Sequence, residues 1–515
     1  MATFNALNPS MFLHKNEYTT LSDKVSPLVA EDVPQSGRYC LKYYSFTLIC
    51  LSLGLTFADQ NLLAPALSLV AKEFNFSDHD RDLYLGAHIS GCFFIVGGLI
   101  SLIVGYLADK FNRVMLYGLV IIVGETGTLM TYFSESYVEL LFARTVTGIA
   151  IGGAGPIIYS MIPDLFRKQK RIFVITLVSI ITSLGIAAGQ LLAGYICQQN
   201  SKNWRLPFLI LSIPNICIAV FILLTATDPP RGLLEIDHSN AGTVGSWKHG
   251  IVVKYVESVS SNKLGFLLNT SSVRLIYAQG LVNCIPWSLI YTFLIDYLIH
   301  EKNEATMVSS VALSIFSLSG IFGQIFGGYI GFKLWVYDPS RQYQLLFVSA
   351  STFVAAIPLF IIIVTDDSSY ILFVSCVFGG FLASIAGPNI KAILQAVILP
   401  EIRGAHSLTH SLTRSLTHSP NHLSITLLGT GFSIFNLFDD IGKGFGPFVI
   451  VIIIRQFHGD RKKAFASIVS FWVLGALIQL QLHKRISSDE KNVTEMIAQS
   501  LHYDLSPSNP ISIDT

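Results

Sequence analysis

The amino-acid sequence predicts an all-α membrane protein. Twelve spanning helices are expected, in two six-helix bundles with pseudo-two-fold symmetry. Three observations predict it. The 515 residues are 51% hydrophobic and only 13% charged, whereas soluble domains carry about 25% charged residues. That leaves too little polar surface to wrap a soluble globule of this size. The apolar residues gather into runs long enough to cross a bilayer, about 20 residues each. The runs also fall into two sets of six, divided by a polar stretch at 228–271, and short motifs recur between the sets.

Residues 1–42 read as a polar, disordered cytosolic tail. No short apolar core with a cleavage site is present there, so the first span is expected to target the chain. Tyr18-Thr19-Thr20-Leu21 has the tyrosine-x-x-bulky form of an endolysosomal sorting signal, a pattern short enough to arise by chance. Apolar runs follow at 43–68, 83–108, 114–133, 137–163, 171–197 and 206–226, giving an N-terminal bundle over 43–227. A cytosolic linker fills 228–272. Runs at 273–299, 307–332, 345–364, 370–398, 430–454 and 464–482 give a C-terminal bundle over 273–485, and 486–515 is a cytosolic tail.

Lysine and arginine test this topology. With both termini in the cytosol most of them fall on the cytosolic side, including Arg167, Lys168, Lys170 and Arg171; Arg461, Lys462 and Lys463 fall on the other. The sequon Asn75-Phe76-Ser77 is then external, and those at Asn269 and Asn492 are internal and silent. Ser407 to Ser419 reads SLTHSLTRSLTHS, a tetrapeptide repeat with no apolar face of helical period. It is assigned no function.

Charges inside spans are costly unless paired or facing water, which makes each a functional candidate. Asp59 lies in span one, His88 in span two, Glu125 in span three and Arg144 in span four. At 1.5 Å rise per residue, Asp59, Glu125 and Arg144 sit at a similar depth, roughly 10–14 Å from the outer ends of their spans. They can therefore meet. Arg144 stays charged and is the natural counter-ion. Asp59 or Glu125 can then take up and release a proton, or either can form a static bridge to Arg144. His88 titrates near neutral pH but lies close to the interface. In span eleven, Asp439 and Lys443 are four residues apart and share a helix face, with Asp440 beside them. Lys391 in span ten is at a depth to take the spare carboxylate, closing a neutral network that reads as a structural lock more than a proton relay. Gly442, Gly444 and Pro447 suggest a flexible or broken helix there.

The stretch Gly105 to Arg113, GYLADKFNR, ends span two and opens span three. Its charges Asp109, Lys110 and Arg113 can pair with one another and with a helix end. Gly105, Leu107, Ala108, Asp109, Lys110 and Arg113 match the loop signature G-x-L-A-D-[RK]-x-[GN]-R, and the chain resembles the major facilitator superfamily on that ground. The halves echo each other: Ala154-Gly155-Pro156 recurs as Ala386-Gly387-Pro388, and Gly105-Tyr106-Leu107 as Gly328-Tyr329-Ile330, with Phe332 where Asp109 would map. Removing Ala405 to Gly429 joins PEIRG to TGFSIFNLF, similar to the superfamily's run into its eleventh helix. We read 405–429 as an insertion in a cytosolic loop.

Within that superfamily, FADQNLLAPAL, RTVTGIAIGGAGPIIYSMIPDLF and Asp228-Pro229-Pro230-Arg231-Gly232 resemble runs of the Spinster family of lipid transporters. Gln60 replaces that family's arginine and Gly153 its glutamate. The resemblance implies proton-linked movement of a lysophospholipid or sphingoid lipid by alternating access. Asp59 and Arg144 would sit in the central cavity, and the Gly105–Arg113 loop would act as a conformational latch. A carrier for a small polar solute, a sugar or an organic anion, is the alternative; Asn61, Gln190, Asn283 and Asn389 could line its cavity.

Other classes find little support. A net charge of +1 offers no polybasic surface for nucleic acid. The seven cysteines have no paired spacing, so neither a disulfide framework nor a zinc site is expected. No cofactor is implied. No HExxH, Walker or nucleophile motif suggests an enzyme. A monomer is expected, in either an endolysosomal or a plasma membrane.

Overall fold

The computed structural model describes residues 35–166, 168–229, 270–338, 340–365, 369–397, 430–489 and 491, which are helices and short turns. Residues 1–34, 230–269, 405–429 and 492–515, with the sequons at Asn269 and Asn492, lie outside the described residues; 35–42, expected in the disordered tail, are already helical, because the first helix starts at Gln35. Eleven helical segments among them are long and apolar enough to span: Tyr43–Glu73, Asp78–Ala108, Arg113–Phe133, Tyr137–Ile162, Phe173–Gln199, Ser201–Thr225, Ser271–His300, Thr306–Tyr337, Gln342–Val364, Ser369–Leu394 and Arg461–Leu482. The remaining span, Thr430–Gln456, is a 27-residue helix with Asp439, Asp440 and Lys443 in its middle. In chain order these are spans one to twelve.

Local chemistry sets the ends. Asn112 accepts from the Met115 N–H at 2.9 Å and starts span three. Ser136 and Glu139 form a reciprocal capping box that starts span four. Span one breaks after Asp59, and Pro65 sits in a single 3-10 turn before the helix resumes at Leu67. Span seven widens into a π turn at Leu289–Phe293, and span two does so at Arg81–His88; π turns often mark functional places. Span eleven differs from expectation: it runs unbroken through Pro447. Its glycines serve packing instead. Gly442 backs onto Leu281 and Cys284 of span seven, and Gly444 onto Ile95 and Gly91 of span two, so the helix is held from two sides.

The packing repeats with an offset of six spans. Spans one and five, one and six, two and four, three and four, and three and six pack together. So do seven and eleven, seven and twelve, eight and ten, nine and ten, and nine and twelve. The repeat reaches single residues. A Cβ on Gly148 would collide with the Phe93 carbonyl, and one on Gly380 with the Phe316 carbonyl. The alignments that lay Gly105 on Gly328 and Ala154 on Ala386 also lay Phe93 on Phe316 and Gly148 on Gly380.

Spans five and eight, and spans two and eleven, join the halves. A charge cluster closes one end of that junction. Asp296 of span seven accepts from Ser68 of span one at 2.5 Å and from Arg461 of span twelve at 3.0 Å. Arg461 also reaches Asp82 of span two at 3.3 Å and Glu301 at 3.1 Å, and Arg81 bonds Asp82 at 3.0 Å. Arg81, Asp82, Asp296 and Arg461 are all buried. Burial holds the Glu301 carboxyl above its usual range, against the pull of Arg461. Further towards the middle, Ser90 meets Thr292 at 3.3 Å and Ser314 donates to the Ala187 carbonyl at 3.1 Å. Towards the other end the halves still touch, Gly98 of span two lying against Leu437 and Asp440 of span eleven, while a side chain added at Gly155 or Gly387 would meet nothing within 4 Å.

Candidate functional site

Below the sealed end lies a cavity of about 40 Å³ between the halves, lined by Gln60, Asn61, Phe93, Phe94, Arg144, Tyr291 and Thr292 among others. The break in span one puts Gln60 and Asn61 there, since the chain leaves its helix immediately after Asp59.

Asp59 and Arg144 are joined as their depths foretell. Arg144 Nη1 donates to Asp59 Oδ1 at 3.0 Å and Nη2 to the Asp59 carbonyl at 3.2 Å. Thr128 donates to Asp59 Oδ2 at 2.6 Å. Both charges are shut away from solvent, at 0% and 2% exposure. The guanidinium also lies over the rings of Phe93 and Phe208, 5.1 and 5.3 Å from their centres. Glu125 stands apart from the pair. Its Oε1 accepts from Asn215 Nδ2 at 2.7 Å, and Asn215 is held in turn by Ser52 and Thr56 of span one. His88 is not with them: its Nδ1 meets the Tyr137 hydroxyl at 3.3 Å, and its ring lies against Tyr84 and Phe448 at the seam of the halves.

The Gly105–Arg113 loop is organised differently from expectation. Arg113 reaches out of the loop. Its Nη1 donates to Asp164 at 2.5 Å, its Nε to Asp228 at 2.9 Å, and its other contacts are the Ser160 and Pro229 carbonyls. A guanidinium with five donors can satisfy all of these at once, which a turn carboxylate alone cannot match. Lys110 instead covers the ring of its neighbour Tyr106, 4.3 Å from the centre. The side chain of Asp109 lies outside the described residues; Gly105 is buried in span two.

In the second half Lys443 takes both carboxylates, Asp439 at 2.6 Å and Asp440 at 3.4 Å, and the Cys284 thiol donates to Asp439 at 2.8 Å. Lys391 forms no ion pair among the described residues and acts on Asp439 only at longer range. The expected closed network therefore lacks its fourth member. Its helix spacing explains why: positions i, i+1 and i+4 already bring both carboxylates to Lys443.

Sequence reasoning missed Asn215, Thr128 and the buried cluster at the sealed end. A polar residue inside an otherwise apolar run, as in Ser212-Ile213-Pro214-Asn215, is the signal that could have found the first. Asp82 and Asp296 near the ends of their runs could have pointed to the last.

Fold and site define a multi-pass integral membrane protein of two related helix bundles around a small cavity of mixed polar and apolar lining. The chain belongs to the Major Facilitator Superfamily, whose family model matches residues 49–419. It is similar to the zebrafish (Danio rerio) sphingosine-1-phosphate transporter SPNS2, 25% identical over 278 residues, 52% of this chain and 53% of that one. It is also similar to the protein spinster of Drosophila melanogaster, 23% identical over 309 residues, 59% and 48% of the two chains. The match thus spans about half the length of these relatives. Among solved structures, a bacterial homolog to the human lysosomal transporter Spinster, inward-facing and occupied, superposes with a TM-score of 0.59 at 16% identity over 89% of this chain and 98% of that one. A D-xylose-proton symporter gives 0.60 at 15% over 86% and 98%. At such identity the likeness is one of fold alone.

Proposed function

We propose that the chain is a proton-linked secondary transporter that moves an amphiphilic lipid, such as a lysophospholipid or a sphingoid lipid, by alternating access. The buried Asp59–Arg144 pair beside the cavity carries this reading. A buried charge pair at the cavity wall, with Glu125 as a second carboxylate nearby, gives a place where uptake of one proton changes the balance of charge around Arg144. The similarity to Spinster proteins supplies the lipid. Asp59, Arg144 and Glu125 form the coupling group, with His88 at the seam. The second-half network of Asp439, Asp440 and Lys443 faces the same seam, with Lys391 nearby. Arg113, through Asp164 and Asp228, makes the Gly105–Arg113 loop the latch.

The termini face the cytosol in this reading, so the sealed end faces outward. The exposed Asn75 sequon then lies on the outer side, in the turn between spans one and two. The protein works as a monomer.

The test is uptake of a labelled lysophospholipid into proteoliposomes under imposed pH gradients, with glucose as control. Asp59→Asn should abolish gradient-driven uptake at unchanged protein abundance; equal uptake in variant and parent would sink the assignment. One observation favours a second reading, a small polar solute: Gln60, Asn61 and Thr292 give the cavity amide and hydroxyl groups. Glucose uptake resistant to competing lysolipid would select it.

A further inference from the structure

Among the described residues, Glu125 is a buried carboxylate of the N-terminal bundle with no cation of its own. Glu125 lies in span three at 1% exposure. Its Oε1 takes the Asn215 amide, and its Oε2 has no hydrogen-bond partner among the described residues. It makes no ion pair among them either. The nearby guanidinium, Arg144, is committed to Asp59, whose two carboxylate oxygens are occupied by Arg144 and Thr128. Two buried carboxylates therefore share surroundings that hold one positive charge.

A bare carboxylate removed from water costs several kcal/mol, whereas a carboxyl group bearing its proton is neutral and needs only ordinary hydrogen bonds. The surroundings of Glu125 suit the second form. Asn215 is oriented: its carbonyl oxygen accepts from Ser52 at 2.7 Å, and its amide nitrogen is turned to Glu125 and to Thr56 at 2.9 Å. It offers a neutral donor to one oxygen and leaves the other for a proton. The groups facing Glu125 are few. Span one presents Asp59 and Thr56, span four Arg144 and span six Asn215. On its own helix Tyr117 feels both Glu125 and Cys50, and the Tyr117 hydroxyl donates to the Ile49 carbonyl at 3.1 Å.

We propose that Glu125 carries the transported proton, while Asp59 stays ionised on Arg144 as a fixed counter-charge. This rests on the proton-linked reading above and divides its coupling group into two roles. The proton is taken up from one side when the carboxylate is hydrated and given to the other after the halves rock, so no co-reactant is needed. Asn215 is a positioning residue: it holds the carboxyl group and sets which oxygen stays free.

The test uses the full chain in lipid vesicles and two readouts. In infrared difference spectra at neutral pH, the parent should show a protonated carboxyl band that is absent from Glu125→Gln and retained by Asp59→Asn. A parent without the band, or a band that disappears with Asp59→Asn and persists with Glu125→Gln, overturns the proposal. If glutamine is not tolerated, Glu125→Asp must move the band, and an unmoved band overturns it as well. In the uptake assay, Glu125→Gln should lose gradient-driven accumulation, and its lysophospholipid exchange without a gradient should become independent of pH. Full gradient-driven accumulation in that variant would place the proton elsewhere. Failure of the parent to move lysophospholipid at any gradient would instead count against the transport reading, and the infrared result would stand on its own.

Discussion

The two bundles share a packing scheme and hold their loop ends by different chemistry. In the first, Arg113 is 1% exposed and grips Asp164 and Asp228, tying span three to span four and to the segment after span six. In the second, Arg341 stands before span nine as Arg113 opens span three, and a chain of amides leads inward from it. Arg341 donates to Gln344 at 3.2 Å, Gln344 to Asn389 at 3.0 Å, and Asn389 to the Gly327 and Ile385 carbonyls at 2.9 and 3.0 Å. Both ends keep a lysine over a tyrosine one turn back, Lys110 over Tyr106 and Lys333 over Tyr329 at 4.3 and 4.7 Å. The backbone register of a duplication thus outlasts its side-chain chemistry. Losing Arg113 strands two carboxylates, whereas losing Asn389 leaves an amide and two carbonyls unpaired.

The contrast can be broken at its strongest point. Arg113→Ala leaves Asp164 and Asp228 without their guanidinium and should cost about 3–5 kcal/mol. It should appear as a large loss of thermal stability in detergent-purified protein. Asn389→Ala removes only neutral partners and should cost about 1–3 kcal/mol in the same melting assay. Equal losses for the two variants would erase the distinction. Gly148→Ala and Gly380→Ala each push a methyl group into a carbonyl of the neighbouring helix, at about 1–3 kcal/mol of overpacking. Because these contacts are duplicates, the two variants should melt alike; a clear difference would show that the repeat is looser than its backbone suggests. Lys110→Gln and Lys333→Gln should have the smallest effect, under about 1 kcal/mol each, since an exposed cation over a ring gains little.

Much of this arrangement is legible in the sequence. Span positions follow from the lengths of the apolar runs, and the Asp59–Arg144 pair follows from equal depth along neighbouring helices. Depth alone could not choose between Asp59 and Glu125 as the partner of Arg144. That depends on rotation about the helix axes and on Asn215, 90 residues from Glu125 in sequence. The partners of Arg113 were hidden for the same reason: Asp164 and Asp228 sit in motifs of their own, and only the fold brings them together. Arg461 shows the opposite failure. It looks like a cation breaking the topology rule, yet it lies buried against Asp296, Asp82 and Glu301 and is not a solvated loop charge. The break expected at Pro447 was misread because glycines that thin a helix for its neighbours look, in sequence, like glycines that loosen it.

The charge cluster at the sealed end has a consequence for how that end opens. Its arginines and aspartates share partners across four spans, so removing one contact strands the others in a dry place. Partial opening is therefore penalised more than either full closure or full separation, where water reaches every member at once. A passage governed this way snaps instead of fraying. Such a joint gives way as one unit or not at all.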